Sequence, residues 1–347
     1  MDTKIEVSNK VRQSNFELLR ILSMLMIVAH HFGVHSGWQG GGYPNFNIYL
    51  IRFLSIGGKI GVNLFILISG YFLITSKFSI KKLIKLILQT VFYSLLFYII
   101  FASIGMVQFS FYDLIRSIFA IATNQYWFVS CYVIMYILSP FINKALLNSS
   151  KKAHLGLIAV LLLFQSVYPF IFNENLFSNV GWFITVYVIA SYIKLYSPKI
   201  LDKKAFYIPV TLVLLVVIAC CYMFFYINLW EFFNLVCVVF CVALFCWFKN
   251  IKIKNNKFIN TISKTTLGVY LIHDNGLFRR VLWNRLLNAP FHATLNSFVL
   301  FALVAIIVVF AGCSVIDLLR DLLDKLCTKL VNKIKEKKKN PNENINN

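Results

Sequence analysis

Four ionisable side chains lie at helical spacing in the apolar segment 16–35. Glu17 and Arg20 stand near its start, and His31 and His35 stand near its end. Arg20 and His31 are eleven residues apart, which in an α-helix is three turns plus about 20°, so both lie on one face, roughly 16 Å apart along the axis. Glu17 is one turn before Arg20 and can pair with it. A neutral imidazole can accept a proton near neutral pH and a guanidinium can stabilise negative charge, so this face is suited to general-base chemistry.

Each of these residues also has a simpler explanation. Arg20 could extend to the cytoplasmic headgroups, as basic residues near the ends of membrane helices do. His35 could be solvated at the outer end, and His31 could be a satisfied packing residue. The shared face favours a functional role, because ionisable groups inside a membrane usually face a polar cavity. His30 points about 80° away from Arg20 and is therefore a secondary candidate.

The elements that must position these side chains are membrane helices. Of the 347 residues, 59% are hydrophobic and 14% are charged, and the mean hydropathy is +0.74. Soluble domains carry about 25% charged residues, so we predict an all-α polytopic membrane protein of about ten transmembrane helices. Ten segments reach the ~20 residues that a membrane-spanning helix needs. They are residues 16–35, 57–76, 84–105, 126–147, 155–173, 177–196, 206–227, 230–249, 262–282 and 295–317.

The distribution of basic residues predicts the orientation in the membrane. With the N-terminus in the cytoplasm, 27 of the 34 Lys and Arg residues fall on the inner side, six fall on the outer side, and Arg20 lies within a span. An excess of inner positive charge is the rule for membrane proteins, so we predict cytoplasmic N- and C-termini and a multi-pass protein of the plasma membrane. The net charge of +21 is spread over all the inner loops. That spread argues against nucleic acid as a partner, because nucleic-acid-binding proteins gather their charge on one face.

The sequence predicts one membrane domain, residues 1–324, followed by a basic cytoplasmic tail, residues 325–347, that is partly disordered. Two shorter apolar stretches, 43–56 and 109–122, are expected to lie at the membrane interface or to form partial spans. The eight cysteines include no Cys-x-x-Cys pair, and none stands beside histidines at metal-binding spacing. We therefore expect no metal site and no tightly bound cofactor.

Five motifs, in chain order, resemble signatures of the acyltransferase-3 family of integral membrane O-acyltransferases. The first is Arg20, ten intervening residues and His31, preceded by an acidic residue and Leu-Leu. The others are "GVNLFILISGYFL" (61–73), "KKLIK" (81–85), "YWFVSCYVIMYILSPFINK" (126–144) and "SKTTLGVYLIHDN" (263–275). Each motif alone is short, but five in register make the resemblance specific. It is a resemblance to members of the polysaccharide O-acetyltransferase type that lack a fused extracytoplasmic domain.

The resemblance implies acyl transfer, most often of acetyl, from cytoplasmic acyl-CoA to a hydroxyl of an extracytoplasmic glycan. The acceptor is expected to be a surface polysaccharide, a lipid-linked oligosaccharide or a cell-wall polymer. His31 is expected to act as general base, with Arg20 stabilising or anchoring the acyl donor and Glu17 orienting Arg20. Tyr270 and His273, three residues apart on one helix face, are secondary candidates for which a structural or gating role is preferred to catalysis.

The expected donor site lies on the cytoplasmic side. Lys82 and Lys85 share a helix face below the third span, where the family usually has two arginines, and acetyl-CoA is anionic at its nucleotide end. Lysine lacks the planar fork of arginine, so its grip on phosphate is weaker. Ser69, in the second motif, is a further donor-binding candidate. Alternatively, Lys82 and Lys85 only mark an inner loop. The alternative for the whole protein is a transporter, flippase or polymerase of lipid-linked glycans.

Overall fold

The chain is predominantly helical. The structure, a computed structural model, describes residues 12–38, 43–172, 178–231 and 233–339, with side chains as far as residue 332. Of the described residues, 80% are helical and none forms a β-strand. The α-helices are α1 (Ser14–His35), α2 (Asn45–Ser55), α3 (Gly57–Leu73), α4 (Ile80–Ser103), α5 (Phe111–Ile118), α6 (Trp127–Leu147), α7 (Lys151–Leu162), α8 (Tyr168–Phe172), α9 (Asn179–Tyr196), α10 (Lys204–Phe225), α11 (Leu235–Asn250), α12 (Lys257–Ile262), α13 (Thr266–His273), α14 (Phe278–Arg280), α15 (Ala289–His292) and α16 (Phe298–Lys339). Turns of π-helix occupy Leu163–Val167 and Val281–Leu286, and 3₁₀ turns occupy Lys199–Asp202 and Ser263–Thr265.

Seven helical segments within the described ranges are long and apolar enough to cross a membrane, which confirms the predicted all-α polytopic fold. They are Ser14–His35, Asn45–Leu73, Ile80–Ser103, Trp127–Leu147, Lys151–Phe172, Lys204–Phe225 and Phe298–Asn332. The other three predicted spans are shorter or interrupted. The segment 177–196 forms α9 with 18 residues, and 230–249 forms α11 with 16 residues. The segment 262–282 is broken at the 3₁₀ turn and again after His273.

α1 packs closely against α3, and glycines in α3 make this possible. A Cβ atom on Gly61 would lie 2.6 Å from the carbonyl oxygen of Ser23 in α1, and one on Gly58 would clash with the ring of His30. Small residues let helix backbones approach in membrane proteins. The close approach holds the polar face of α1 in the interior of the bundle.

The outer helices contrast with this interior. Only 11% of the apolar window of Lys204–Phe225 is buried, against 72% for Asn45–Leu73. Leu212, Val213 and Val216 are among its exposed apolar side chains. A continuous apolar surface of this kind marks a membrane-facing or partner-facing side, and here it belongs to a predicted span. The centre of the bundle is therefore built from α1 and α3, with α10 at the periphery.

A buried carboxylate fixes the position of α13. Asp317 of α16 accepts hydrogen bonds from Tyr93 Oη (2.8 Å) and Gln89 Nε2 (3.0 Å) of α4, and from Arg320 Nε (2.7 Å). Gly268 of α13 packs directly on Asp317, where any Cβ atom would clash with the carboxylate. A buried carboxylate requires such partners, because an unpaired charge away from water is costly. The cluster therefore joins α4, α13 and α16 beside the residues that α13 presents.

The helix α16 extends well past the predicted end of the membrane domain. The expected boundary between residues 324 and 325 lies inside α16, which continues to Lys339. Residues 340–347 of the expected tail lie outside the described residues. The division into a membrane domain and a partly disordered tail therefore stays a prediction.

Candidate active site

A cavity of about 500 Å³ runs beside α1. On α1 its lining extends from Arg20 to His35, fifteen residues or roughly 22 Å of helix. Of the residues singled out from the sequence, it is lined by Arg20, His30, His31, His35, Ser69 and Tyr270. It is also lined by polar and charged residues that the sequence reasoning did not select as site residues, namely Arg12, Lys59, Ser263, Lys264, Asp274 and Arg279.

The predicted pairing of Glu17 with Arg20 is present near the N-terminal end of α1. Arg20 Nη1 lies 2.8 Å from Glu17 Oε1 and 3.0 Å from Oε2. Glu17 also accepts a hydrogen bond of 2.6 Å from Ser263 Oγ, and Arg12 Nη1 lies 3.5 Å from its Oε2. The carboxylate is buried, and two guanidiniums and a hydroxyl surround it, as a buried acidic group requires. Glu17 thus links α1 to the turn before α13 and holds the guanidinium of Arg20 at the cavity.

The two histidines of this site meet across 242 residues of sequence. His31 Nδ1 and His273 Nε2 are 2.8 Å apart, and both rings are buried. His273 Nδ1 lies 2.5 Å from the carbonyl oxygen of Val269, one turn earlier on α13. A carbonyl oxygen only accepts, so Nδ1 of His273 carries a proton and Nε2 of neutral His273 is an acceptor. His31 must then donate through Nδ1, which leaves the lone pair of His31 on Nε2.

A carboxylate stands next to this pair. Asp274 Oδ1 lies 3.7 Å from His31 Nδ1 and 3.7 Å from His35 Nε2, and 3.4 Å from Arg279 Nη1. At these distances it can stabilise an imidazolium that forms on His31. Asp274 is adjacent to His273 in sequence, so the end of α13 brings Asp274 to the cavity lining and His273 into contact with His31.

The same residues offer the geometry of a metal site. In the part of the chain that the structure describes, His31, His35 and Asp274 each offer one ligand atom. These three atoms lie within 4.8 Å of one another, which is close enough for them to hold one cation. A metal on His31 would occupy the lone pair that a general base needs. Nδ1 of His31 is already hydrogen-bonded to His273. The expectation of no metal therefore stays a prediction.

His30 and Tyr270 occupy different positions on the cavity wall. His30 Nδ1 is hydrogen-bonded to the carbonyl oxygen of Ser55, and its ring packs edge-on against Trp230 at 5.5 Å. Tyr270 is 4% exposed, and its hydroxyl makes no hydrogen bond with the described residues. The ring of Tyr270 lies 6.5 Å from that of His31. His30 is thus held by a hydrogen bond and a packing contact, whereas Tyr270 lines the cavity with its hydroxyl buried close to Asp274.

Ser69 lines the cavity from α3. Tyr132 of α6, which also lines the cavity, is close to both Ser69 and Arg20. Ser69 is therefore placed near the Arg20 end of the cavity rather than near His31.

Lys82 and Lys85 lie outside this cavity. Both side chains are exposed at the start of α4, and Lys85 Nζ lies 3.4 Å from Asp321 Oδ1 of α16. Lys85 instead lines a groove between α4 and α16 together with Lys81 and Arg320. The structure therefore does not bring this pair to the polar face of α1. Three of the residues that do line the cavity, Ser263, Lys264 and Asp274, fall in the motif "SKTTLGVYLIHDN", which is therefore a partial signal for them.

Comparison with known proteins identifies the family of the chain. No curated protein and no solved structure matches the chain. A family model described as an acyltransferase domain, that of the acyltransferase-3 family, matches residues 13–318 of the 347. The matched region contains the whole cavity lining apart from Arg12. The chain is therefore a membrane protein that belongs to the acyltransferase-3 family, and the cavity lined by Arg20 and His31, with His273 bonded to His31, lies within its acyltransferase domain.

Proposed function

We propose that this membrane acyltransferase moves an acyl group, most often acetyl, from cytoplasmic acyl-CoA to a hydroxyl of an extracytoplasmic glycan. The enzyme acts in the plasma membrane, on a surface polysaccharide, a lipid-linked oligosaccharide or a cell-wall polymer. The observation that carries the proposal is the His31–His273 pair on a cavity that also holds Arg20. The positive-inside orientation puts the Arg20 end of α1 at the cytoplasm and the His35 end outside.

His31 is the base. The acceptor hydroxyl loses its proton to Nε2 of His31 while its oxygen attacks the carbonyl carbon of the thioester. The tetrahedral intermediate collapses with cleavage of the carbon–sulfur bond, and the proton passes from His31 to the departing thiolate. The products are the O-acylated glycan and coenzyme A with a free thiol. The imidazolium that forms in between lies 3.7 Å from Asp274.

Tyr270 is the residue best placed to stabilise the intermediate. Its hydroxyl is buried at the cavity without a hydrogen-bond partner among the described residues, and its ring is near His31. A hydrogen-bond donor that is fully engaged only when an oxyanion forms lowers the activation barrier and does not tighten binding of the ground state.

Arg20 is too distant for that role. It lies roughly 16 Å from His31 along the axis, and its guanidinium is turned back to Glu17, towards the N-terminus of α1. Of the two roles expected from the sequence, anchoring the donor therefore fits the geometry better than stabilising the oxyanion.

Substitution of the two adjacent histidines tests this proposal. His31→Ala should reduce glycan O-acylation by about 10²–10⁴-fold, the usual contribution of a general base. His30→Ala should retain much of the activity, because the His30 ring is held by Ser55 and Trp230. Glycan acylation is measured in cells at matched membrane abundance of the variants. An active His31→Ala variant together with an inactive His30→Ala variant would contradict the assignment.

A further inference from the structure

The cytoplasmic end of the cavity contains a cluster of cations that the acyl-transfer step does not use. Arg12, Arg20 and Lys264 all line the cavity there, and Glu17 is the acidic residue that contacts this cluster. Resting on the proposed function, we propose that Arg12 and Lys264, together with Arg20, bind the phosphate groups of the acyl-CoA donor.

The charges of this cluster are only partly compensated. Glu17 lies between Arg12 and Arg20, so one carboxylate serves two guanidiniums. Lys264 is exposed, and it makes no ion pair with the described residues. The cluster thus carries an excess of two positive charges at a cavity mouth. An anion with several phosphate oxygens fits such a site, because charge-assisted hydrogen bonds to phosphate are strong and arginine can bind it bidentately.

Arg12 is held in place before any ligand arrives. Its Nη1 donates to the carbonyl oxygen of Asn260 at 3.2 Å and to Ser263 Oγ at 3.4 Å. Neither of these two partners is charged, so they orient the guanidinium without adding to the charge compensation by Glu17, 3.5 Å away. The Arg12 side chain is still 43% exposed, which leaves guanidinium N–H groups accessible at the cavity mouth. A site whose groups are oriented in advance loses less entropy when the ligand binds.

The length of the donor fits the length of the cavity. The chain of a pantetheine arm from phosphorus to sulfur has about thirteen bonds, each advancing roughly 1.2 Å when extended, so it spans about 16 Å. Arg20 and His31 are separated by roughly the same distance along α1. With its phosphates at Arg12, Arg20 and Lys264, an extended donor therefore presents its thioester at the level of His31.

This assignment differs from the donor site expected from the sequence. Lys82 and Lys85 lie outside the cavity, and Lys85 is already paired with Asp321. Neither lysine lines the cavity that extends along α1 to His31. The pair Arg12 and Lys264 can be compared directly with the pair Lys82 and Lys85, because all four residues are on the cytoplasmic side.

The test is a binding titration of the purified full-length protein with acetyl-CoA. Lys264→Ala and Arg12→Ala should each raise the Kd about tenfold or more, since each removes a hydrogen bond to a charged group. Lys82→Ala with Lys85→Ala should change it little, and Lys203→Ala with Lys204→Ala, on an exposed inner loop, is the control. Raising the salt concentration should weaken binding to the wild type more than binding to Lys264→Ala.

The outcomes separate the inference from the proposed function. If Arg12→Ala and Lys264→Ala bind like the wild type while the Lys82 and Lys85 variant binds weakly, the phosphate assignment is overturned and the proposed function stands. If the wild type binds no acetyl-CoA, the proposed function fails with it. Lys264→Ala guards against misfolding, because its exposed side chain makes no structural ion pair. Acetyl-pantetheine, which lacks the nucleotide, should be used equally well by the wild type and Lys264→Ala.

Discussion

Replacement of His273 should separate positioning from catalysis in the histidine pair. His273 Nε2 accepts the 2.8 Å hydrogen bond from His31 Nδ1, and this contact keeps the lone pair of His31 on Nε2. His273→Gln places an amide oxygen near the former Nε2 position and preserves an acceptor. His273→Asn and His273→Leu remove that acceptor and leave the N–H of His31 buried without a partner.

The expected magnitude follows from this lost contact. A buried donor left without its partner costs about 1–3 kcal/mol. If the base-competent form of His31 carries that cost, kcat falls roughly 5–150-fold, because about 1.4 kcal/mol corresponds to a tenfold change in rate. His273 is not part of the cavity lining, so KM and Kd for acyl-CoA should stay unchanged. Steady-state acyl transfer by the purified variants, with acyl-CoA binding measured in parallel, gives these constants.

The conservative variant makes the prediction refutable. His273→Gln should retain most of the wild-type kcat, whereas His273→Asn and His273→Leu should lose the stated amount at equal thermal stability. Wild-type kcat in the Asn and Leu variants would refute the tautomer assignment. A Gln variant as slow as the Leu variant, while equally stable, would show that hydrogen-bond acceptance is not what His273 supplies.

Two other substitutions test the remaining roles. Arg20→Lys should weaken both acetyl-CoA binding and glycan acylation, because lysine lacks the planar fork that can engage Glu17 and a phosphate at once. Binding and activity at the wild-type level in Arg20→Lys would mean that Arg20 only extends to the headgroups. Tyr270→Phe should reduce kcat by roughly 10²–10³-fold, the usual effect of losing one oxyanion donor, with an unchanged Kd for acetyl-CoA. An unchanged kcat in Tyr270→Phe would remove the hydroxyl from the proposed mechanism.

The features that the sequence could predict are local ones. Helical spacing is enough to place Glu17 beside Arg20 and to put His31 on the same face, and the structure shows the ion pair at 2.8 Å and both Arg20 and His31 on one cavity. Hydropathy is likewise enough to predict an all-α membrane protein. Such features depend on the periodicity of one helix, which a short segment carries by itself.

The features that the sequence could not predict depend on how distant segments dock. The His31–His273 contact joins residues 242 positions apart, and no periodicity within either helix reveals it. The placement of Lys82 and Lys85 has the same cause. Their position next to a span predicts their side of the membrane but not the helix face that meets the cavity.

Hydropathy also does not predict the break in the helical segment 262–282. Hydropathy averages over about 20 residues, but side-chain hydrogen bonds end α13. Asn275 Oδ1 accepts from the backbone N–H of Leu277 at 3.0 Å, and its Nδ2 donates to Tyr126 Oη at 2.7 Å. These bonds provide partners for polar groups at the break, including a backbone N–H that lacks an intrahelical partner there. The interruption places His273 and Asp274 together beside α1.

The most direct test of the central claim is a sided transfer measurement in right-side-out membrane vesicles. Acetyl-CoA with a labelled acetyl group is sealed inside, on the cytoplasmic face, and the surface glycan of the source cells is supplied outside. Wild-type vesicles should transfer the label to the external glycan, and vesicles with His31→Ala at equal abundance should transfer at least 10²-fold less. Label supplied as acetyl-CoA on the outside should not be used by either. Transfer by His31→Ala at the wild-type rate, or no labelled glycan with the wild type, would contradict the assignment of this cavity as the path of acyl transfer.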